Sequence, residues 1–143
     1  MPFSVLLSRG MPVALVERFE DLVAWQKARL FANDVFNASR GQSFRKDFGL
    51  NDQINRSALS VTANIAEGFD RGSRAEFARF LVIAKGSCAE TRSHLYMAQD
   101  RGYLSAAEAG VLLNHAEEVA RIVTALLAAV RRQQRSAERP TPF

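Results

Sequence analysis

No proline occurs between Val13 and Arg139, while Pro2, Pro12, Pro140 and Pro142 all sit at the two ends. Proline removes a backbone donor and clashes with the preceding helical turn. So long a stretch without one, rich in Ala, Leu, Arg, Glu and Gln, predicts a chain built from helices. Glycine then divides it. Gly41 and Gly49 bracket a polar connection, and Gly72 and Gly102 each close a segment. Four helical segments follow, near 17–39, 50–69, 74–100 and 105–135. Ser73-x-x-Glu76 and Ser105-x-x-Glu108 read as capping boxes, the serine accepting the third helical N–H and the glutamate reaching back.

Apolar residues recur at three- and four-residue steps, the spacing of one buried helix face. The first segment carries Phe19, Leu22, Trp25, Ala32 and Phe36. The third carries Phe77, Phe80, Leu81, Ala84, Cys88, Thr91, Leu95 and Ala98, and the fourth Leu112, Ala116, Val119, Val123, Leu126 and Val130. The second has two stripes, Leu50, Ile54, Ala58, Val61 and Ile65 beside Leu59, Thr62, Ala66 and Phe69. Val82, Ile83, Tyr96 and Met97 fall outside the main stripe of the third. A helix apolar on more than one side has to bury more than one side, either at the centre of a bundle or against another subunit. Short connections make neighbouring helices antiparallel, so the expected fold is all-α, an up-down-up-down antiparallel four-helix bundle over residues 17–135. Residues 1–16 read as a flexible leader and 136–143 as a flexible tail, the apolar stripe fading from Arg131 onward. Met1 and Met11 both stand as candidate starts.

At 143 residues the chain has the size of one domain. Its 48% apolar and 24% charged residues are globular proportions. The run Met1–Leu7 lacks a basic region before it and is too short for a secretory segment, and no stretch of about 18 apolar residues follows. The reading is therefore cytoplasmic, with no membrane partner. The single cysteine rules out an intrachain disulfide and any zinc site made of several thiolates. The net charge of +4 rests almost entirely on arginine, the only lysines being Lys27, Lys46 and Lys85. Arginine's planar fork suits phosphate or carboxylate, yet fifteen acidic residues are interleaved with the basic ones, as on solvated helix faces.

Candidate chemistry is sparse. A dimetal carboxylate site in a helical bundle needs two Glu-x-x-His pairs, but Glu90 precedes His94 by four residues and His115 has no glutamate three before it. Cys88 lies on an apolar stripe, where a thiol is buried and inert. Gly68 to Gly72 lacks the Lys-Ser/Thr end of a phosphate loop and follows no strand, so a helix terminator and a turn explain those glycines. No catalytic residue, metal, cofactor or small-molecule substrate is predicted, and the chain is not read as an enzyme. Two polar clusters stand out: Asn64, Glu67 and Gly68 ending the second segment, and Gly86, Ser87 and Glu90 within the third. Gly86 weakens a helix, which predicts close approach of another helix. Glu67 or Glu90 pairing with Arg56 or Arg92 inside the bundle would fix its register; simple surface salt bridges are the competing expectation. Arg71, Arg74 and Arg79 at the second turn, with Arg131, Arg132 and Arg135 on the tail, are the candidates for RNA or DNA. With the aromatics on core stripes, only backbone phosphate contact is expected of them, strengthened where a ring repeats the patch.

The run Gln53-Ile-Asn-Arg-Ser-Ala-Leu-Ser-Val-Thr-Ala-Asn-Ile-Ala-Glu-Gly68, followed by Arg71, Ser73, Glu76 and Phe77, resembles one family. So do Ala84-Lys-Gly-Ser-Cys-Ala-Glu90 and Phe19-Glu-Asp-Leu-Val-Ala-Trp-Gln-Lys-Ala28. The likeness, over roughly residues 17–130, is to the four-helix bundle proteins encoded in intervening sequences of bacterial 23S rRNA. Its signature residues here are Asn64, Ile65, Ala66, Glu67 and Gly68, with Gly86, Ser87 and Glu90. The resemblance implies an up-and-down bundle assembling as a homopentameric ring, in agreement with a second segment that is apolar twice over. A related branch, the accessory proteins of diversity-generating retroelements, forms basic pentamers that bind nucleic acid and a reverse transcriptase. Arg45 stands where a proline is usual and Arg56-Ser57 where Arg-Ala is common, and neither departure favours that branch. The expected function is a non-catalytic, ring-forming scaffold or adaptor. The alternative is a nucleic-acid-binding accessory protein acting with a reverse transcriptase or rRNA.

Overall fold

The computed structural model describes residues 15–138. Residues 1–14 of the expected leader, including Met11, and residues 139–143 of the expected tail lie outside them. The described residues are all-α. A 3₁₀ turn, Phe19–Asp21, precedes α1 (Val23–Ala38), α2 (Gln42–Lys46), α3 (Phe48–Asp70), α4 (Arg74–Asp100) and α5 (Ala106–Glu138). Gly72 and Gly102 have φ of +82° and +75°, the left-handed conformation that ends α3 and α4 and that only glycine adopts without strain.

Caps fix two of the starts differently. Ser105 and Glu108 form the complete box: the Glu108 N–H donates to Ser105 Oγ (3.1 Å) and the Ser105 N–H to Glu108 Oε1 (3.0 Å). At α4 only half of it forms. The Glu76 N–H donates to Ser73 Oγ (3.1 Å), while the Glu76 carboxylate turns outward to Arg79 at 3.0 Å. The expected second box is corrected to a serine cap, a nearby guanidinium having won the carboxylate. An aspartate the sequence reading passed over, Asp47, caps α3 through the Leu50 N–H (3.2 Å).

Contacts along the long helices run in opposite chain order. Between α3 and α4, Ser57 meets Thr91, Ser60 meets Ser87, and Phe69 meets Phe77. Between α1 and α5, Lys27 faces Glu118 and Asp34 faces His115. Between α1 and α3, the Ser39 carbonyl accepts from Asn51 Nδ2 at 2.7 Å. The core among them holds Leu22, Phe31, Val35, Phe44, Ile54, Val61, Ile65, Leu81, Leu95, Leu126 and Val130. Each of these large side chains, fully buried, contributes roughly 1.5–3 kcal/mol. The exposed ion pairs around them contribute about 0–1 kcal/mol each, so apolar burial decides the fold.

The main stripes of α3, α4 and α5 are buried as the periodicity predicts. The first segment differs. Its core face is Ala24, Ala28, Phe31, Ala32 and Val35, and Phe36 is exposed. Two alanines let α1 approach its neighbours closely, which rotates the buried face away from the larger residues that mark the stripe in the sequence. The polar connection between Gly41 and Gly49 contains α2, whose Phe44 is buried and stacks on Tyr103 at 5.1 Å. Helical backbone also extends past Arg131 to Glu138, in keeping with the strong helix formers Arg, Gln and Ala there.

Candidate functional site

Helical register divides the signature residues into two kinds. Ile65 and Gly68 are buried on α3. A Cβ added at Gly68 would lie 2.5 Å from Phe80 Cβ and 3.3 Å from the Phe77 ring. Gly68 is therefore an interior helix position where α3 and α4 nearly touch. Asn64 Nδ2 donates to the Ser60 carbonyl (2.7 Å) and to Ser60 Oγ (2.9 Å), and Ser60 Oγ meets Ser87 Oγ at 2.8 Å. One turn away, Thr91 Oγ1 donates to Ser57 Oγ at 2.8 Å. Asn64 and Ser87 thus belong to a polar ladder between the two helices, and its buried hydroxyls find partners within it.

Glu67, Ala66 and Glu90 lie outside that ladder, and the expected internal register pair is absent. Arg71 takes Glu67 at 2.8 Å, Asp52 takes Arg56 at 2.9 Å, and Glu90 lies 3.4 Å from His94. Arg92 reaches Glu117 on α5 at 3.7 Å, while its Nε is buried without an acceptor. For Glu67, Arg56 and Glu90 a neighbour one turn away on the same helix takes the pairing, and only Arg92 finds its partner on another helix. Cys88 is fully buried on the stripe, and desolvation pushes its thiol up to about 12, so it stays protonated and unreactive at neutral pH. No three His, Cys, Asp or Glu side chains among the described residues gather as metal ligands would.

Gly86 also departs from expectation. Nothing lies within 4 Å of a Cβ built on it, and no helix of the subunit approaches it. It is exposed on the outer face of α4, between Val82 and Ile83 at one end and Tyr96 and Met97 at the other, each at least 40% exposed. Ala89 and Ser93, spaced with Gly86 at three- and four-residue steps, are exposed there as well. The result is a shallow saddle of small residues between apolar shoulders. The second stripe of α3 is only partly covered in the subunit: Phe69 packs on Phe77, while Leu59 is 60% exposed. Beside Leu59, a groove of about 210 Å³ runs between α1 and α3, lined by Phe19, Trp25, Ala32, Thr62 and Ala66. Phe19 packs edge-on against Trp25 in it, and the Arg29 guanidinium lies 5.5 Å above the Trp25 ring.

The arginine candidates come together at one end of the molecule. Arg71 and Arg79 flank the Phe80 ring at 5.0 and 4.7 Å. Both are also tied to carboxylates, Glu67 and Glu76 respectively, and the Arg79 guanidinium holds the Glu76 carboxyl below its ordinary range. Arg74 shares with the last turns of α5 an open cleft of about 670 Å³, floored by Phe69 and Phe77 and walled by Gln133, Gln134 and Ala137. Arg131, Arg132 and Arg135 lie on the last turns of α5 as well, but none of them lines that cleft. Sequence spacing gave no sign that the two clusters share one end of the molecule, because α4 and α5 separate them along the chain.

Residues 20–125 match the model of the 23S rRNA-intervening sequence protein family. A solved structure from Bacteroides thetaiotaomicron, described as a protein of unknown function from the S23 ribosomal protein family, matches with a TM-score of 0.67 and 26% identity. The match covers 73% of this chain and 98% of that one. Among curated proteins none matches. No helix of the described residues is long and apolar enough to cross a membrane.

Proposed function

This chain belongs to the 23S rRNA-intervening sequence protein family, and from that premise we propose that it is a non-catalytic, cytoplasmic scaffold or adaptor, an up-down-up-down four-helix bundle that closes into a homopentameric ring. The opposed order of contacts between α3 and α4 and between α1 and α5 supports the bundle. The observation that carries assembly is the outer face of α4. A helix-weakening glycine sits there in the open between two apolar pairs, a cost the isolated subunit gains nothing from and a neighbouring subunit would recover.

The test is absolute mass by light scattering, with and without single-stranded and duplex RNA, at low and moderate salt. The reading expects a discrete species near 80 kDa, about five times the 15.9 kDa subunit. A species at the subunit mass overturns it.

The cleft that Arg74 shares with the last turns of α5, the turns that also carry Arg131, Arg132 and Arg135, favours a second reading, a nucleic-acid accessory role that a ring would repeat five times. It expects the mass to rise with RNA at low salt and to fall back as salt increases, since phosphate contacts release counterions. A mass indifferent to RNA at low salt excludes it.

A further inference from the structure

The outer face of α4 and the α1–α3 groove differ in shape and in charge, and the difference carries an inference that rests on the ring reading above. The groove is concave and aromatic, and Arg29 is the one charged residue lining it among the described residues. Among the described residues no carboxylate pairs with Arg29; its guanidinium lies over the Trp25 ring. The α4 face is a saddle over Gly86, one turn from Glu90, whose carboxylate is half exposed and, among the described residues, pairs only with His94 at 3.4 Å. Leu59 projects from the groove's own rim.

We propose that the α1–α3 groove of one subunit receives the α4 face of the next, with Leu59 seated on the saddle at Gly86 and Arg29 paired with Glu90 across the junction. The rise of one helical turn between Gly86 and Glu90, about 5–6 Å, suits Leu59 and Arg29, which line a single groove. Two unlike patches on one chain make a head-to-tail contact, the kind that generates rings, whereas one self-complementary patch would stop at a dimer. The small residues of the saddle let the backbones approach, and the ion pair sets the register.

Charge exchange tests the junction in the full chain. Arg29→Glu and Glu90→Arg should each reduce the scattering mass to that of the subunit at concentrations where the unaltered protein is assembled. The double variant Arg29→Glu/Glu90→Arg should restore the assembled mass. Gly86→Leu, which fills the saddle from an exposed position, should also dissociate the ring, with helicity by circular dichroism unchanged. An unaltered protein that assembles while both single exchanges leave its mass intact overturns this junction and leaves the ring reading standing. Dissociation by both singles without recovery in the double overturns the direct pairing. A subunit-sized unaltered protein overturns the ring itself.

Discussion

Gly68 and Gly86 sit in helix interiors and both cost helix stability, but their surroundings give substitution opposite signs. At Gly68 a methyl group would meet Phe80 Cβ at 2.5 Å, an atom fixed to the α4 backbone that cannot rotate aside. Overpacking of this kind costs about 1–3 kcal/mol, against a helix-propensity gain of at most about 1 kcal/mol. Gly68→Ala is therefore expected to lower the urea midpoint. Gly86→Ala meets nothing within 4 Å and should stabilise the subunit by roughly 0.5–1 kcal/mol, measured in the Arg29→Glu background so that assembly does not enter. Shifts of the same sign at both positions would contradict this assignment. The sequence marks both glycines, but it places Gly68 only in a polar cluster near a helix end and expects the close approach at Gly86. Which glycine faces a neighbouring helix depends on rotation about the axis, and a helix with apolar residues on several sides does not declare it. Phe36 misled for the same reason: side-chain size suggested burial, while Ala24 and Ala28 set the close face of α1.

The connection from α1 to α3 was read from sequence as a polar loop, and its structure turns on three residues whose spacing carries no periodic signal. Phe44 on α2 is buried against Tyr103, and Asp47 gathers donors from far along the chain. Asp47 Oδ2 accepts from Tyr103 Oη (2.8 Å) and Arg101 Nη1 (2.9 Å), and Oδ1 accepts from the Leu50 N–H. The Tyr103 hydroxyl first, then the Leu50 N–H, and finally Arg101 hold the Asp47 carboxyl below its ordinary range. A carboxylate whose folded pKa is depressed adds stability above its unfolded pKa and loses that contribution as pH falls through the folded one. Acidification below the ordinary aspartate range should thus loosen the joint between the start of α3 and the end of α4. Asp47→Asn should lower stability at neutral pH and flatten the acid limb, read as urea midpoints at pH values from neutral downward. Glu108, also depressed by its capping contacts, remains in the variant, so the difference between the two curves isolates Asp47. Parallel curves would remove Asp47 from the account. By contrast, the α5 start was fully legible, because a capping box is a local pattern of four residues. The Asp47 joint brings together residues more than fifty positions apart, and only tertiary packing reveals it.

The proposed ring would add a constraint that no single subunit contains, and its parity makes that constraint measurable. In the proposed junction, Arg29→Glu subunits cannot join one another, because the new glutamate faces Glu90; Glu90→Arg subunits fail likewise, with two arginines opposed. Mixed in equal amounts, the two variants regain matched charges at every junction between unlike neighbours, one in the original sense and one reversed. Association should therefore return on mixing, but only in alternating order. A closed alternating ring needs an even number of subunits, and five is odd. Native mass measurement of the mixture should accordingly show even-numbered rings or open chains, while the double variant, alike in every subunit, closes at five. Recovery of a five-membered closed ring from the mixture would mean that two like subunits can adjoin, and the Arg29–Glu90 pair would then not govern the junction. A mixture that stays at subunit mass would count equally against it, since neither the original nor the reversed pair would suffice to join two bundles. Head-to-tail geometry is what gives the count its force: were α4 to pack on α4 about a two-fold axis, Arg29 would lie outside the contact, Arg29→Glu alone would leave the mass unchanged, and no parity would arise.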